Sequence, residues 1–315
     1  MSFSAPPLPS DEEYNLSSED STLLKRVIGI QDDGELKRHL LAVQAEAYAV
    51  HPYACIRSLG FAKFRISKHP AYEAVIKLGK ERQNAILLDL PCCGLPIHDV
   101  VGSDSRKAIY DGYPRENVIA SDLYADYWTV GHKLFKTTEE SYSVPFLQGD
   151  MFDPNFLKPG VRPVNTSSQI TTSPPSLAAL TSLTPLQHHV SVIYTSSFFH
   201  LFEADEQFKL AHLFASLLSP LPGSIIFGSH VGASEDEEDK LGRNRFTLRG
   251  TTAFAHSPAS WKELWTGESG PFTPEQVLIQ VKVVQNMDRK HYSGTLSSEK
   301  PYIAGCSHIW SITRR

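Results

Sequence analysis

Apolar residues recur with two periods along the chain, and segments of the two kinds alternate. Short unbroken apolar runs, typical of buried parallel strands, cover residues 85–90, 118–120, 144–147, 190–194 and 224–227. Apolar positions at helical spacing lie between them, at residues 105–110, 123–135 and 199–218. Near the end, residues 277–283 and 306–312 alternate with period two, which predicts two half-buried strands joined by a polar loop. We expect an α/β fold, a doubly wound sheet with an antiparallel C-terminal edge.

Helical patterns also precede the first apolar run, at residues 35–50 and 70–82. Residues 1–20 are acidic and rich in Pro and Ser, a composition that predicts a flexible tail. We therefore divide the chain into this tail, a helical cap (residues 21–83) and a nucleotide-binding domain (residues 84–315) that forms one globular unit with the cap. The cap either packs on the edge of the sheet or forms a lid over an active site.

Two further segments have local signals. Residues 155–189 are rich in Pro, Ser and Thr, which predicts a long surface loop with one short helix at its centre. Residues 257–265 predict a short helix with Ser257 or Ser260 as its N-cap.

Charge and cysteine content exclude several classes of partner. The 30 basic and 35 acidic residues give a net charge of -5, so we expect no nucleic-acid partner. The sequence shows no signal-peptide pattern and no apolar run long enough for a membrane span. The four cysteines show neither a disulfide framework nor the spacing of a metal clip. We expect no metal site and a reducing, cytoplasmic location.

Residues 84–122 read as a strand, a glycine-bearing loop, a helix, and a strand ending in a carboxylate. In doubly wound folds ligands bind at the carboxyl ends of the parallel strands. The candidate residues at those ends are Asp89, Asp122, Leu123, Gly149, Asp150, Met151 and Ser197. For an adenosine ligand, Asp122 would accept hydrogen bonds from both ribose hydroxyls and Asp150 one from the adenine amino group. Leu123, Met151 and Phe152 would flank the purine.

Each of these acidic residues has a purely structural alternative. Asp122 or Asp150 alone could cap the segment that follows its strand, and only the joint pattern favours a ligand. A dinucleotide fold would place GxGxxG after the first strand, whereas this chain has PCCGLP, which weakens the case for an NAD(P)-dependent oxidoreductase.

Two residue types, cysteine and histidine, could carry chemistry. A thiol nucleophile at Cys92 or Cys93, with His200 as its base, lacks a positional signature, so we favour small buried cysteines. His200 either acts as a general base or has a packing or capping role, and His256 is the second candidate base.

Several segments resemble the fungal class I S-adenosylmethionine-dependent methyltransferases of meroterpenoid and terpenoid pathways. They are LLDLPCC, GSDSRKAIYDGYPRENVIASDL, YWTVGHKLF, FLQGDMFD and SSFFHLF. The resemblance implies a Rossmann-like seven-stranded sheet and makes residues 84–315 the S-adenosylmethionine-binding domain. It places the cofactor against the first loop near Cys93 and Gly94, against Asp122 and Leu123, and against Asp150 and Met151. The implied activity is methylation of an oxygen, carboxylate or hydroxyl, on a small secondary metabolite of terpenoid or meroterpenoid type.

One departure from the family pattern concerns residues 95–101, which separate Gly94 from the Gly102-Ser103-Asp104 triplet. Asp122 lies 20 residues after Gly102 but 28 after Gly94, and about 20 residues usually separate such a loop from the ribose-binding acid. We therefore interpret residues 95–101 as an insertion. The alternative to an active methyltransferase is a non-catalytic member of the fold, impaired by this insertion.

Overall fold

The computed structural model of the chain describes residues 8, 14, 16–50, 52, 54–90, 101–165, 173–233, 245–248, 251–285 and 306–315. Its strands are β1 (Ile86–Asp89), β2 (Val118–Asp122), β3 (Phe146–Gln148), β4 (Val190–Tyr194), β5 (Ile225–Gly232), β6 (Arg245–Leu248), β7 (Thr251–Phe254), β8 (Val277–Gln285) and β9 (Cys306–Arg314). Seven of these strands form one sheet in the order β3-β2-β1-β4-β5-β9-β8, and β6 and β7 form a separate hairpin.

The first five strands of the large sheet run parallel, and β9 is antiparallel to both β5 and β8. Every residue of β1, β2 and β4 is buried, which explains their unbroken apolar runs. The outer strand β8 instead alternates in burial, as its period of two predicted. The predicted doubly wound, seven-stranded sheet with an antiparallel C-terminal edge is confirmed.

The α-helices among the described residues are α1 (Ser18–Ile28), α2 (Asp33–Val50), α3 (Ala54–Arg57), α4 (Tyr72–Glu81), α5 (Ser103–Tyr110), α6 (Ala125–Leu134), α7 (Ala204–Leu217) and α8 (Pro258–Thr266). Two hydrophobic cores lie on opposite faces of the sheet. Leu87 of β1 belongs to the core that contains α1, α2, α4 and α6, and Leu88 to the core that contains α7 and α8. Successive strand residues point to opposite faces, so β1 contributes to both. Within these ranges, none of the helices combines the length and apolarity that crossing a membrane requires.

Helix α1 begins inside the stretch that composition assigned to a flexible tail. Ser17 caps it, because its hydroxyl oxygen accepts a hydrogen bond from the N–H of Asp20 at 3.0 Å, and Leu24 and Ile28 are buried. The cap and the buried stripe outweigh the acidic composition. The rest of the predicted tail falls almost entirely outside the described residues.

The predicted helix at residues 199–218 is wrong at its start. Phe199–Leu201 forms a 3₁₀ turn, Phe202 and Glu203 are extended, and α7 begins at Ala204. The side chain of Glu206 accepts a hydrogen bond from the N–H of Glu203 at 3.2 Å, which caps α7 at this point. His200 therefore lies in the 3₁₀ turn and does not open the helix.

The β6–β7 hairpin was not predicted, and it is attached to this 3₁₀ turn. The N–H of Phe254 donates to the carbonyl of Phe202 at 3.0 Å. The side-chain amide of Gln207 donates to the carbonyls of both Phe202 (2.9 Å) and Phe254 (2.7 Å). One buried amide therefore joins α7, the 3₁₀ turn and the end of β7.

Other predictions differ in detail. The described part of residues 155–189 contains two 3₁₀ turns, Leu177–Ala179 and Thr184–Leu186, in place of one short helix. The predicted short helix with Ser257 as N-cap is confirmed as α8. The acidic run at residues 235–240 and the polar loop at residues 288–301 lie outside the described residues.

Candidate functional site

Acidic residues end two neighbouring strands at the centre of the sheet. Asp89 ends β1 and Asp122 ends β2, and the two side chains are 2% and 1% exposed. Gly149 follows β3, and its N–H donates to the carbonyl of Asp122 at 2.9 Å. The chain reverses its winding direction between β1 and β4, and doubly wound folds bind ligands at that point. The structure thus brings together the predicted residues at the ends of β1, β2 and β3.

Asp122 also has the structural role that the sequence left open. One carboxylate oxygen accepts a hydrogen bond from the N–H of Tyr124 at 2.9 Å, which forms an Asx turn before α6. A carboxylate offers about four lone-pair sites, so the turn and a ribose contact are compatible. The next side chain, Leu123, is 47% exposed and presents an apolar surface at the same edge of the sheet.

The turn after β3 is tightly packed. A Cβ atom on Gly149 would lie 2.3 Å from the ring of Phe156, so a larger residue requires this ring to move. Asp150 is exposed and accepts a hydrogen bond from the N–H of Phe152 at 2.9 Å, whereas Met151 is buried. Asp150 therefore closes a local turn and still presents its carboxylate to solvent.

Of the predicted first loop, Cys93 and Gly94 lie outside the described residues. Val101, the last residue of the predicted insertion, is fully buried. A Cβ atom on Gly131 would lie 2.2 Å from the carbonyl oxygen of Val101, so α6 packs directly against this backbone. Val101 is therefore part of the core.

The end of β4 lies very close to β5. Ser197 has a left-handed backbone (φ 56°), and its N–H donates to the carbonyl of Ser229 at 2.6 Å. A Cβ atom on Gly228 would lie 1.6 Å from the carbonyl oxygen of Thr195, so only glycine permits this approach. A non-glycine residue with positive φ is strained, and such strain clusters at functional sites.

Four buried histidines lie beside this point. His200 is in the 3₁₀ turn, His230 in β5, His256 before α8 and His308 in β9. Burial lowers the pKa of both His200 and His256 to about 3. The pKa of His230 lies well below its usual value, first because of burial and then because of its histidine neighbours. All of these rings are therefore neutral at physiological pH.

Sequence reasoning found His200 and His256 but missed His230 and His308. These two are directly opposite in the antiparallel β5–β9 pair. The alternation of β9 places His308 on the same face as Trp310. The alternation of β9 was therefore a signal that could have identified His308. His230 had no such signal, because β5 extends beyond the apolar run at residues 224–227 that predicted it. Among the residues for which coordinates are described, no group of three or more His, Cys, Asp or Glu side chains is arranged to hold a metal ion.

The doubly wound sheet with the antiparallel pair β8–β9, and with acidic residues ending β1 and β2, defines a Rossmann-like class I methyltransferase fold. Comparison with known proteins then shows what the chain is similar to. Residues 10–62 match the family described as "Meroterpenoid methyltransferase N-terminal domain". The chain is similar in sequence to fungal methyltransferases, and the resemblance seen in the sequence is confirmed.

The chain is 30% identical over 230 residues to the O-methyltransferase phiE of Fungal sp. (strain ATCC 74256), covering 71% of this chain and 62% of phiE. It is 28% identical over 283 residues to the Asnovolin E/Chermesin D methyltransferase nvfJ of Aspergillus novofumigatus, covering 89% and 84% of the two chains. A solved structure of a Burkholderia thailandensis 1,6-didemethyltoxoflavin-N1-methyltransferase has 15% identity and a TM-score of 0.46, with 88% and 89% coverage. The matched part of this chain spans less than two thirds of the length of phiE.

Proposed function

We propose that this protein is an S-adenosylmethionine-dependent O-methyltransferase that acts on a carboxylate or hydroxyl oxygen of a small secondary metabolite of terpenoid or meroterpenoid type. The observation that carries the proposal is the pair of buried acidic strand ends, Asp89 and Asp122, at the point where the winding of the sheet reverses. The names of the fungal relatives support the reaction class.

Each cofactor residue has a role that its chemistry supports. Asp122 accepts hydrogen bonds from the ribose hydroxyls, and Asp150 accepts one from the adenine amino group. The cofactor-binding set also includes Asp89, Cys93, Gly94, Leu123, Gly149, Met151 and Ser197. Because Asp122 is almost fully buried in this structure, the groups that cover it have to move for the ribose to reach the carboxylate.

Methyl transfer from a sulfonium is an in-line displacement, so alignment of the acceptor oxygen, the methyl carbon and the sulfur supplies much of the catalysis. Such positioning is worth about 7 to 11 kcal/mol. A carboxylate acceptor needs no base, whereas a hydroxyl acceptor would gain roughly 10²- to 10⁴-fold from one. His200 is the first candidate base and His256 the second. A pKa of about 3 keeps both rings unprotonated but makes them weak bases, so they fit orientation of the acceptor better than its deprotonation.

The remaining predictions have support of different kinds. A small-molecule partner, rather than nucleic acid, agrees with the net charge of -5. The cytoplasmic location stays a prediction, supported by cysteines with no disulfide spacing. The division into a tail (residues 1–20), a cap (residues 21–83) and a cofactor domain (residues 84–315) is likewise a proposal, and helix α1 begins three residues before the proposed cap.

Isothermal titration calorimetry with S-adenosylhomocysteine, the demethylated cofactor, tests the proposal. We expect the wild-type protein to bind it, and Asp122→Asn to bind at least about tenfold more weakly, a loss of about 1.4 kcal/mol. Asn keeps an oxygen for the turn with Tyr124 but loses the charge and one acceptor. Asp153→Asn is the matched control, because Asp153 forms a comparable turn with the N–H of Asn155 beyond the strand ends.

Each contrary result has a distinct meaning. If the wild-type protein shows no binding, the proposed function is wrong and the non-catalytic alternative gains support. If Asp122→Asn binds as tightly as wild type, only the ribose assignment is wrong. Binding of NADH, seen as a change in its fluorescence on mixing, would instead favour an oxidoreductase.

A further inference from the structure

Several buried polar atoms behind the end of β5 lack hydrogen bonds. Counting only the residues with described coordinates, neither ring nitrogen of His200 or of His230 has a hydrogen-bond partner. The same holds for the indole N–H of Trp261 and of Trp310. Folded proteins pair about 90% or more of their buried polar groups, and each unpaired group costs about 1 to 3 kcal/mol. A group of so many unpaired buried polar atoms in one region therefore calls for an explanation.

These side chains form one group, which we call the His–Trp cluster: His200, His230, Trp261 and Trp310. The ring centroid of Trp261 lies 4.3 Å from that of His230 and 4.7 Å from that of Trp310. Phe199 has its ring 5.0 Å from Trp261. His200 itself lies near enough to His230 to contribute, after burial, to the lowering of the pKa of His230. The polar atoms without partners therefore belong to one compact region.

The His–Trp cluster lies at the same edge of the sheet as the proposed cofactor site. His200 follows the end of β4, and His230 lies near the end of β5, which is parallel to β4. β1, which ends in Asp89, is the other neighbour of β4. Since adjacent strands lie about 4.8 Å apart, β5 is about 10 Å from β1. An acceptor in the His–Trp cluster would thus lie beside a cofactor held at the ends of β1 and β2.

The other two histidines beside the end of β4, His256 and His308, each have a partner at one ring nitrogen, whereas His200 and His230 have none at either. Nε2 of His308 donates to the carbonyl of Ala233 at 3.0 Å, and Nδ1 of His256 lies 3.0 Å from the hydroxyl of Ser260. These contacts fix their ring orientations. The His–Trp cluster is therefore flanked by histidines with a structural role.

The chemistry of the His–Trp cluster selects its ligand. A neutral imidazole offers one N–H donor and one acceptor nitrogen, whereas an indole offers only an N–H donor. The donors outnumber the acceptors, which suits a ligand group that accepts hydrogen bonds through oxygen. The surrounding aromatic rings of Phe199 and Trp265 suit an apolar ligand body.

We propose that the His–Trp cluster binds the oxygen-bearing end of an apolar acceptor molecule and orients that oxygen toward the methyl donor. This inference rests on the proposed function and adds the residues that recognise the acceptor. His200 and His230 act in it as hydrogen-bonding groups, and no proton transfer is required of them.

The first test is a stability measurement that needs no acceptor. If His230 is kept for binding, His230→Leu removes buried atoms without partners and should raise the melting temperature while the fold is kept. His69→Leu is the matched control, because both ring nitrogens of His69 have partners, the carbonyl of Trp310 and the N–H of Ala71, each at 3.1 Å. This control should lower the melting temperature. A fall with His230→Leu as large as that with His69→Leu would overturn the proposal.

The second test measures binding through tryptophan fluorescence. In a Trp128→Phe background the remaining tryptophans are Trp261, Trp265 and Trp310. The probes are farnesoic acid (a carboxylate), farnesol (a hydroxyl) and the hydrocarbon farnesene. We expect a saturable change with an oxygenated probe, and at least tenfold weaker binding after His230→Leu. The stronger of the two oxygenated probes identifies the group that the cluster accepts.

The proposal is overturned if farnesene binds as tightly as the oxygenated probes, if neither oxygenated probe binds, or if His230→Leu has no effect. Calorimetry with S-adenosylhomocysteine on the same proteins distinguishes failure of the His–Trp cluster assignment from failure of the proposed function. Loss of probe binding with intact cofactor binding refutes only the His–Trp cluster assignment. Absence of cofactor binding in the wild-type protein refutes the proposed function itself.

Discussion

The carboxylate of Asp104 accepts a hydrogen bond from the backbone N–H of Ile66 at 2.9 Å, across 38 residues of sequence. The neighbouring hydroxyl of Ser103 donates to the carbonyl of Phe61 at 2.6 Å. The first turn of α5, which follows the proposed cofactor loop, is thus bound to the N-terminal cap. Part of the family triplet Gly102-Ser103-Asp104 therefore holds the cap in place.

Asp104→Ala should destabilise the protein by about 1 to 3 kcal/mol, because it leaves the buried N–H of Ile66 without its acceptor. Asp104→Asn should cost less, since the amide oxygen can still accept this bond. Urea unfolding followed by circular dichroism measures both free energies of unfolding. Glu73→Ala, at an exposed position of α4, should change the value by less than about 0.5 kcal/mol. Equal stability of wild type and Asp104→Ala would show that the contact is dispensable.

Gly228→Ala should destabilise the protein by about 3 kcal/mol or more, at the upper end of overpacking effects. The added methyl group would lie 1.6 Å from the carbonyl oxygen of Thr195, and a backbone atom cannot rotate away as a side chain can. Gly34→Ala in α2 is the control, because its neighbours there are the ends of two flexible side chains. It should be neutral or stabilising, as alanine favours a helix. Calorimetric melting distinguishes the two, and similar melting temperatures would contradict the packing argument.

Acid should destabilise the protein below about pH 6.5, the usual pKa of histidine. Burial lowers the pKa of His200 and His256 to about 3 and that of His69 to about 4. Between these values and 6.5 the unfolded chain binds protons that the folded chain does not, so stability rises with pH. Each such histidine contributes up to about 1.4 kcal/mol per pH unit.

Urea unfolding at pH 7.5, 6.5, 5.5 and 4.5 measures this dependence, and His256→Asn should reduce its slope. The buried histidine stabilisation is fully present above pH 6.5 and is lost as the pH falls toward 3 to 4. A free energy of unfolding that stays constant down to pH 4.5 would be incompatible with neutral, buried rings.

Ser257→Ala should destabilise the protein by about 0.5 to 2 kcal/mol. The hydroxyl oxygen of Ser257 accepts a hydrogen bond from the N–H of Ser260 at 3.2 Å and caps α8. Ser257→Asp should retain most of the stability, because its carboxylate can accept the same bond. If both variants melt like wild type, the cap is not stabilising.

Local signals were enough to predict much of the fold. The strands β1, β2 and β4 are buried on both faces, so their apolar runs are unbroken, and Ser257 carries its capping signal in the sequence itself. The end of the predicted helix at residues 199–218 was correct, but its start depends on Glu203 and Glu206, and the apolar pattern continues across that boundary.

Part of the candidate site was likewise predictable from the sequence, and part was not. Asp89 and Asp122 were predictable because strand ends in a parallel sheet meet at one edge. The His–Trp cluster was not, because it depends on the pairing of β5 with β9 and on the packing of α8 against both. Such contacts join segments far apart in sequence, and the alternation of β9 indicates which of its residues share a face but not which residues of β5 and α8 they meet.

The bridging amide of Gln207 has a consequence for motion. It binds the carbonyls of Phe202 and Phe254, and the N–H of Phe254 binds the first of these carbonyls. The hairpin cannot separate from the 3₁₀ turn without also breaking one of the two bonds to Gln207 of α7. The three segments are therefore coupled, and the opening of the hairpin away from the 3₁₀ turn, which exposes the N–H of Phe254 to exchange, also breaks a bond to α7. The rate of that event sets an upper limit on how often the side of the sheet next to His200 is uncovered.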